Sequence, residues 1–414
     1  MYRASSDLLA KSAYLLITVL AARRLSRDAF GLLALGTTLG WIAGVVTDAG
    51  LQLHIARSVA RVADRQQDVA AIFRRWVPWR LGAAAVGLLV AAGLAQAWTP
   101  SPAAMLAVVL FTASGICGSF TEFFNHVCRG LSRTDIESTI AIVSRLLLLG
   151  IAGAVLTLRP GAVPLGVAWC AIALLTTVVT AIATHRLASG DASAVRRLSA
   201  TTSRQREFIA EVLPVGLATV LSALYFRIDV LLLQQWQGTA AVGAYNAVFR
   251  IIEGLRLYPA AALAVALPAL CRADSTQPMR RLAGRLGLVA AAVAGILAVA
   301  SDRLVPWLFG PAFADAVTPG RILLLAFPLM TVNYVLTTQL VAWNRQASYA
   351  WLCAVALVVN LALNRAWIPT WSSTGAAWAT VLTEVCIFAG SLWLLRQASG
   401  VRTRALAASP MVTG

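Results

Sequence analysis

Charged side chains lie inside long apolar runs of this sequence. In ALYFRIDVLLLQQW, residues 223–236, Arg227 and Asp229 are two residues apart among aliphatic and aromatic neighbours. Guanidinium groups bind phosphate and carboxylate oxygens in a bidentate way. A carboxylate in the same setting could pair with an arginine, or could titrate and so couple the protein to an ion gradient. These residues are therefore candidates for binding an anion and for ion coupling.

The next apolar run carries a polar stripe. Asn246, Arg250 and Glu253 follow one another at i, i+4 and i+7, which places them on one face of a helix, and Arg256 lies beside them. Arg250 and Glu253 are three residues apart, as are Glu253 and Arg256, so both pairs have the spacing of helical ion pairs. A stripe of this kind is typical of a water-accessible path through a membrane protein.

Arg227 and Asp229 should not bridge each other, because residues two apart on a helix point to nearly opposite faces. Each then requires a partner on another helix, or water in a cavity. Arg145 and Glu384 lie near the middle of two other apolar runs and have the same requirement. Two other interpretations remain open: an arginine can snorkel to the membrane surface, and any of these residues can serve structural pairing between helices alone.

The composition predicts an all-α polytopic membrane protein. Of the 414 residues, 59% are hydrophobic and 12% are charged, and the mean hydropathy is +0.77. Soluble domains are about half apolar and a quarter charged. About twelve apolar stretches approach or exceed the roughly 17 to 25 residues that one crossing requires. They are 8–22, 30–47, 79–98, 103–125, 136–158, 164–184, 211–236, 240–270, 286–301, 322–343, 349–367 and 374–395.

The first of these stretches has a second interpretation. It is short and contains Lys11, and Ala21 and Ala22 follow its apolar part. This pattern also fits the apolar region of a secretory signal peptide.

The basic residues predict the orientation. With the N-terminus inside, 22 of the 34 Lys and Arg residues fall on the cytoplasmic side, 7 fall outside and 5 lie within spans. Such a bias over short loops follows the positive-inside rule. Both termini are then cytoplasmic. The net charge of +17 points to contact with anionic membrane lipids and not with nucleic acid.

The two halves of the sequence resemble each other. Gly31 and Gly243 are 212 residues apart, as are Arg133 in GLSR and Arg345 in AWNR, and GVAW at 166–169 matches GAAW at 375–378 at an offset of 209. Because six spans separate the copies, both halves would have the same orientation. This predicts two six-helix lobes related by a pseudo-two-fold axis along the membrane normal.

Four segments follow from this division: an N-terminal lobe at 1–186, a cytoplasmic linker at 187–206, a C-terminal lobe at 207–396 and a cytoplasmic tail at 397–414. The linker is rich in Ser, Ala and Arg. Residues 64–80 are amphipathic, which fits either a helix in the headgroup region or an extension of the third span.

No cofactor, metal site or catalytic site is predicted. The six cysteines form no CxxC pair, and HExxH, GxSxG and GxGxxG are absent. Lys11 is the only lysine, which excludes a P-loop. The protein is therefore expected to be no enzyme, and its energy would come from an ion gradient or the membrane potential.

Five stretches resemble the Wzx-type polysaccharide flippases of the multidrug/oligosaccharidyl-lipid/polysaccharide exporter superfamily. They occur in the family's order and cover the chain nearly end to end. They are AARRLSRDAFGLLAL at 21–35, DAGLQLHIARSVAR at 48–61, YFRIDVLLL at 225–233, AVGAYNAVFRIIEGL at 241–255 and GAAWATVLTE at 375–384. The resemblance implies twelve helices around a cavity between two lobes, and alternating access in a bacterial inner membrane.

The resemblance also implies the substrate, a polyprenyl-diphosphate-linked oligosaccharide, and contact with polysaccharide polymerase machinery. On this hypothesis, Asn246 and the deep arginines hold the diphosphate, and an acid among Asp229, Glu253 and Glu384 couples transport to an ion. The substrate-binding arginines are Arg145, Arg227, Arg250 and Arg256. The alternatives are a small-molecule or drug exporter of the same fold and a membrane glycosyltransferase or polymerase.

Overall fold

The computed structural model describes residues 2–48, 66–99, 101–188, 203–272 and 275–408, which are almost entirely helical. Eleven α-helices are described in these ranges, with a short 3₁₀ segment at Pro311–Ala316. The helices are α1 Tyr2–Arg24, α2 Arg27–Asp48, α3 Gln66–Trp98, α4 Pro102–Gly130, α5 Thr134–Leu158, α6 Ala162–Ala188, α7 Ser203–Leu255, α8 Leu257–Arg272, α9 Gln277–Phe309, α10 Val317–Ala342 and α11 Gln346–Ala408.

The chain is a multi-pass membrane protein. Within the described ranges, nine helical stretches are long and apolar enough to cross a bilayer. The predicted span 8–22 lies inside α1, which is not one of these nine. Two of the nine, Gly216–Arg272 with 57 residues and Gln346–Ala398 with 53, are about twice as long as one crossing requires.

Each of the two long stretches is broken by one non-helical residue, Gly238 in α7 and Ser372 in α11. Both have a positive φ, 77° and 50°, and Gly238 has no Cβ that would make this conformation costly. A hydrogen bond shows that the chain reverses at Ser372. Asn360 donates to the hydroxyl of Thr383 at 3.0 Å, and these residues lie twelve positions before and eleven positions after Ser372. Each of these stretches is therefore a helical hairpin.

The helices form two groups. Helices α1 to α6 pack mainly on one another, α7 to α11 do the same, and α2 against α7 provides most of the contact between the groups. We call the end of the bundle that carries residues 24–27, 98, 238 and 309–317 the outer end, following the predicted orientation. The contacts between the groups that the structure describes extend from this end to the ring contact of Trp41 with Phe226, whose centroids are 6.3 Å apart.

The close approach of α2 and α7 depends on two glycines. A Cβ on Gly31 would lie 1.9 Å from the carbonyl oxygen of Thr239, and a Cβ on Gly243 would lie 2.6 Å from that of Arg27. The contact is reciprocal, because Arg27 and Thr239 are separated by the same 212 positions as the two glycines. Small residues allow helix backbones to approach this closely in membranes.

Two turns at the opposite end have the same backbone geometry. Ser132 and Asn344 have φ values of 59° and 57°. The amide of Arg133 donates to Cys128 O at 2.8 Å, and the amide of Arg345 donates to Leu340 O at 2.8 Å. These two turns are again 212 residues apart.

Several boundaries differ from the predictions or lie outside the described residues. Helix α3 runs from Gln66 to Trp98 with Pro78 inside it, so the described part of the amphipathic segment is continuous with the third span. Most of the predicted linker, residues 189–202, and the last residues of the predicted tail, 409–414, lie outside the described ranges. The division into four segments stays a prediction.

Candidate functional site

Arg227 lies in the middle of a buried polar cluster. Its side chain is 5% exposed, and it donates to Asn246 Oδ1 at 3.1 Å and pairs with Glu253. Both partners lie beyond the break at Gly238, on the other arm of the α7 hairpin. The expectation that Arg227 requires a partner on another helix is therefore confirmed, and snorkelling does not explain this residue.

Glu253 is the centre of the cluster. Besides Arg227, its carboxylate accepts from Arg250 at 2.6 Å, which confirms the predicted pair at i, i+3. The single negative charge of Glu253 is thus shared by Arg227 and Arg250, and it formally neutralises only one of them. Glu253 is 28% exposed, so its carboxylate is the most accessible of the three charged groups.

Arg250 also connects the two groups of helices. Its guanidinium donates to Thr37 Oγ1 of α2 at 3.3 Å and lies over the ring of Tyr14 of α1 at 5.1 Å. A cation over an aromatic face is attracted by the ring quadrupole. The cluster therefore lies at the contact between the groups and not within one of them.

Arg145 and Arg256 have no ion pair within the described part of the chain, and both are half-buried. Arg256 packs over the ring of Phe226 at 4.1 Å, within electrostatic reach of Glu253 and Glu384. Arg145, on α5, is within electrostatic reach of Tyr14 and of Glu122, an acid that pairs with Arg129. Two guanidinium groups next to the cluster are therefore available for an anion.

Asp229 faces away from Arg227, as predicted from their spacing. It accepts hydrogen bonds from the hydroxyl of Tyr245 and from the amide of Val230 at 2.8 Å. Tyr245 is fully buried and also lies 3.4 Å from the hydroxyl of Thr380. Asp229 is therefore held inside the second group of helices, and Tyr245 connects it to Thr380 of α11.

Glu384 lies in the same group of helices. It is buried and accepts a hydrogen bond from Asn333 Nδ2 at 2.7 Å. It also lines a pocket that is open to the outside and whose volume, counted together with its opening, is about 200 Å³. The other lining residues are Tyr225, Phe226, Asn360, Thr380 and Thr383. The pocket therefore brings the carboxyl-bearing Glu384 together with two threonines, which makes Glu384 a candidate for binding a proton.

The aromatic partners of the arginines were missed in the sequence. Arg227 lies over the ring of Phe249 at 4.4 Å, and Phe226 and Phe249 pack edge to face with centroids 5.2 Å apart. Each of these phenylalanines directly precedes an arginine of the cluster, in YFR and VFR. This repeated Phe-Arg pair was the available signal.

A second buried ion pair was also missed. Arg80, in α3, is one of the 22 basic residues counted on the predicted cytoplasmic side, and its side chain is fully buried. It pairs with Asp48 at 2.9 Å, donates to Ser119 Oγ at 2.7 Å and lies over Phe123 at 4.9 Å. The sequence did not predict these contacts, because the partners of Arg80 come from α2 and α4, which its local sequence does not reveal.

The eight predicted site residues thus lie in two connected environments. Arg227, Arg250, Glu253 and Asn246 are in direct contact, with Arg145 and Arg256 beside them, whereas the two other acids lie within the second group of helices. Counted formally, four arginines face three acids, which leaves one positive charge in excess. The arrangement can bind an anion and holds no nucleophile positioned by a base.

Comparison with known proteins gives a family and a fold. Residues 1–273 match the sequence profile of a family described as polysaccharide biosynthesis protein. No curated protein matches the chain significantly.

Solved structures match over nearly the whole chain at low identity. A multidrug resistance MATE family transporter of the MOP superfamily, inward-facing, is 14% identical with a TM-score of 0.78, covering 95% of this chain and 96% of its own. The lipid II flippase MurJ in an inward closed conformation is 12% identical with a TM-score of 0.66, covering 95% and 87%. An outward-facing MATE family transporter is 14% identical with a TM-score of 0.61, covering 97% and 96%. The chain therefore has the fold of these transporters.

Proposed function

We propose that this chain, which belongs to the polysaccharide biosynthesis protein family, is a flippase for a polyprenyl-diphosphate-linked oligosaccharide. It would move this lipid from the cytoplasmic to the outer leaflet by alternating access. The observation that carries the proposal is the presence of Arg145 and Arg256, without ion pairs in the described structure, beside the Glu253 cluster. Cations inside a membrane require a partner, and a diphosphate supplies one while its lipid tail stays in the bilayer.

Glu253 would occupy the place of the phosphate in the empty protein. It holds Arg227 and Arg250 by ion pairs, so the empty cavity avoids an excess of cations. An entering diphosphate would first meet Arg145 and Arg256, and would then share Arg227 and Arg250 with Glu253. Asn246, which accepts from Arg227, keeps that guanidinium in place.

One of the buried acids would couple transport to an ion gradient. Glu384 has the best support, because it is buried and lines a pocket with Thr380 and Thr383. Asp229 is already held by Tyr245, and Glu253 by two arginines. Flipping by wild-type protein should then respond to a proton or sodium gradient, and Glu384→Gln should abolish this response.

The finer architecture is part of the proposal. Twelve membrane-spanning helices would form two six-helix lobes related by an axis along the membrane normal. Three observations support it: the hairpin breaks at Gly238 and Ser372, the matching turns at Ser132 and Asn344, and the reciprocal glycine contact between α2 and α7. Both termini would be cytoplasmic in a bacterial inner membrane, with basic loops on anionic lipids and a polysaccharide polymerase receiving the product.

The test is flipping of a fluorescent polyprenyl-diphosphate-linked sugar in proteoliposomes. Arg256→Gln and Arg145→Gln should each lower the initial rate about tenfold or more, because one charge-assisted contact is worth about 1.5–3 kcal/mol. The matched control is Arg303→Gln, the same change at an exposed arginine near the outer end, which should flip at the wild-type rate.

Arg227→Gln and Arg250→Gln are poorer tests, because each also leaves Glu253 short of a buried partner. Wild-type flipping rates in both Arg256→Gln and Arg145→Gln would contradict the proposed diphosphate site but not the proposed flippase activity. No flipping by the wild type, with uptake of a soluble cation instead, would indicate an exporter of small molecules.

A further inference from the structure

A side chain of the first group holds the end of a helix of the second. Arg23, at the end of α1, donates through Nε to Leu308 O at 3.0 Å and through Nη2 to Trp307 O. These carbonyls belong to the last turn of α9, which ends at Phe309. The last carbonyls of a helix lack intrahelical donors and carry the negative end of the helix dipole, so a guanidinium suits them well.

A second joint runs in the opposite direction. Gln234, in the α7 arm that ends at Gly238, donates to Trp98 O at 3.4 Å, the last residue of α3. The indole of Trp98 in turn donates to Gln235 Oε1. Here a helix of the first group is held by side chains of the second.

The two joints occupy equivalent places. Arg23 and Gln235 are separated by the same 212 positions as the glycine pair of α2 and α7, and the helix ends Trp98 and Phe309 are 211 apart. The glycine contact therefore lies between two copies of one joint, and together they close the outer end. The two joints differ in chemistry. In the first the donor is the charged guanidinium of Arg23, whereas in the second the donors are the neutral side chains of Gln234 and Trp98.

The first joint has additional support. Arg27 pairs with Asp315 at 2.6 Å, and the rings of Phe30 and Phe313 meet at 5.6 Å, next to the Arg23 contact. Charge-assisted hydrogen bonds are about twice as strong as neutral ones. The Arg23 joint is therefore the stronger of the two.

We propose that these two joints are unequal halves of an outer gate, and that the Arg23 joint sets how long the protein remains open toward the cytoplasmic side. The inference rests on the proposed function, because alternating access requires both joints to break when the outer side opens. It adds that Arg23 governs the balance between the two states, whereas Gln234 and Gln235 contribute less.

Hydrogen exchange of the protein in lipid nanodiscs, without substrate, tests this gate. In Arg23→Gln, amides of residues 305–316 and 27–34 should exchange at least threefold faster than in wild type. Amides of residues 41–48, on the cytoplasmic half of α2, should exchange more slowly because that side closes. Arg24→Gln removes the same charge at the neighbouring exposed position and is the matched control. It should leave the exchange rates of all three segments unchanged.

Gln235→Arg supplies the converse variant. A guanidinium at this position could donate to the end of α3, so exchange at the outer end should slow and flipping should slow with it. Faster exchange at the outer end of Arg23→Gln without protection of residues 41–48 would indicate local fraying and overturn the proposal. Equal exchange in Arg23→Gln and Arg24→Gln would overturn it as well, and neither result would bear on substrate flipping, which the liposome assay measures separately.

Discussion

Replacing Glu253 by glutamine should destabilise the protein strongly, because the change keeps the shape of the side chain and removes its charge. Arg227 and Arg250 would then remain buried without a counter-charge. Two unit charges 4 Å apart attract each other by about 4 kcal/mol at an effective dielectric constant of 20. Two such pairs are lost here, and part of that energy is offset because Glu253 itself no longer has to be desolvated.

The expected net loss is about 3–5 kcal/mol in the free energy of unfolding, as found when one partner of a buried pair is removed. Detergent-induced unfolding of the purified protein, followed by circular dichroism, measures it. Asp302→Asn is the matched control, because Asp302 pairs with Arg321 at an exposed site and its loss should cost at most about 1 kcal/mol.

A double variant separates charge from shape. Arg227→Gln combined with Glu253→Gln leaves Arg250 as the one unpaired charge of the cluster, so it should be more stable than the sum of the two single changes predicts. Stability of Glu253→Gln within about 0.5 kcal/mol of the wild type would show that water screens these charges, since such small effects are typical of surface positions. The description of Arg227, Arg250 and Glu253 as a buried cluster would then be refuted.

Three further changes test other parts of the structure, the first and third by the same unfolding measurement and the second by flipping in proteoliposomes. Arg80→Gln should cost about 3 kcal/mol because it breaks the ion pair of a fully buried arginine with Asp48, whereas Arg133→Gln breaks an exposed pair and should cost under about 1 kcal/mol; equal costs would contradict the burial of Arg80. Gly31→Ala should separate α2 from α7 and abolish flipping, because its Cβ would lie 1.9 Å from a backbone carbonyl, while Gly150→Ala, with open space around it, should be neutral; a fully active Gly31→Ala would contradict the close approach. Tyr245→Phe removes a donor to a buried carboxylate and should cost about 1–3 kcal/mol, and a loss below about 0.5 kcal/mol would contradict that hydrogen bond.

The sequence predicted the elements and the local pairs of this protein well. The multi-pass helical fold follows from composition and span length, and the Arg250–Glu253 pair follows from helical spacing. Both depend on residues that are close in the chain, so periodicity reveals them. The offset of 212 residues was also visible, although its physical meaning as a reciprocal contact at Gly31 and Gly243 required coordinates.

Contacts between distant helices could not be predicted in the same way. Arg80 meets Asp48 across 32 residues and Ser119 across 39, and Arg23 meets the end of α9 across 284 or more. Nothing in the local pattern around Arg80 distinguishes a buried arginine from one at the membrane surface, because Arg80 follows a segment rich in arginine, Arg74 and Arg75 among them. The same limitation applies to Arg250, whose contact with Thr37 depends on how the two groups of helices meet.

The single positive charge in excess among the deep residues has an electrical consequence for the proposed cycle. A diphosphate carries more than one negative charge, so the loaded site is net negative while the empty site is net positive. A membrane potential that is negative inside would then favour outward passage of the loaded protein and inward return of the empty one, by about 2.3 kcal/mol per charge for each 100 mV. Both legs of the cycle would be electrogenic, and the voltage across the membrane would add to the ion gradient in giving transport its direction.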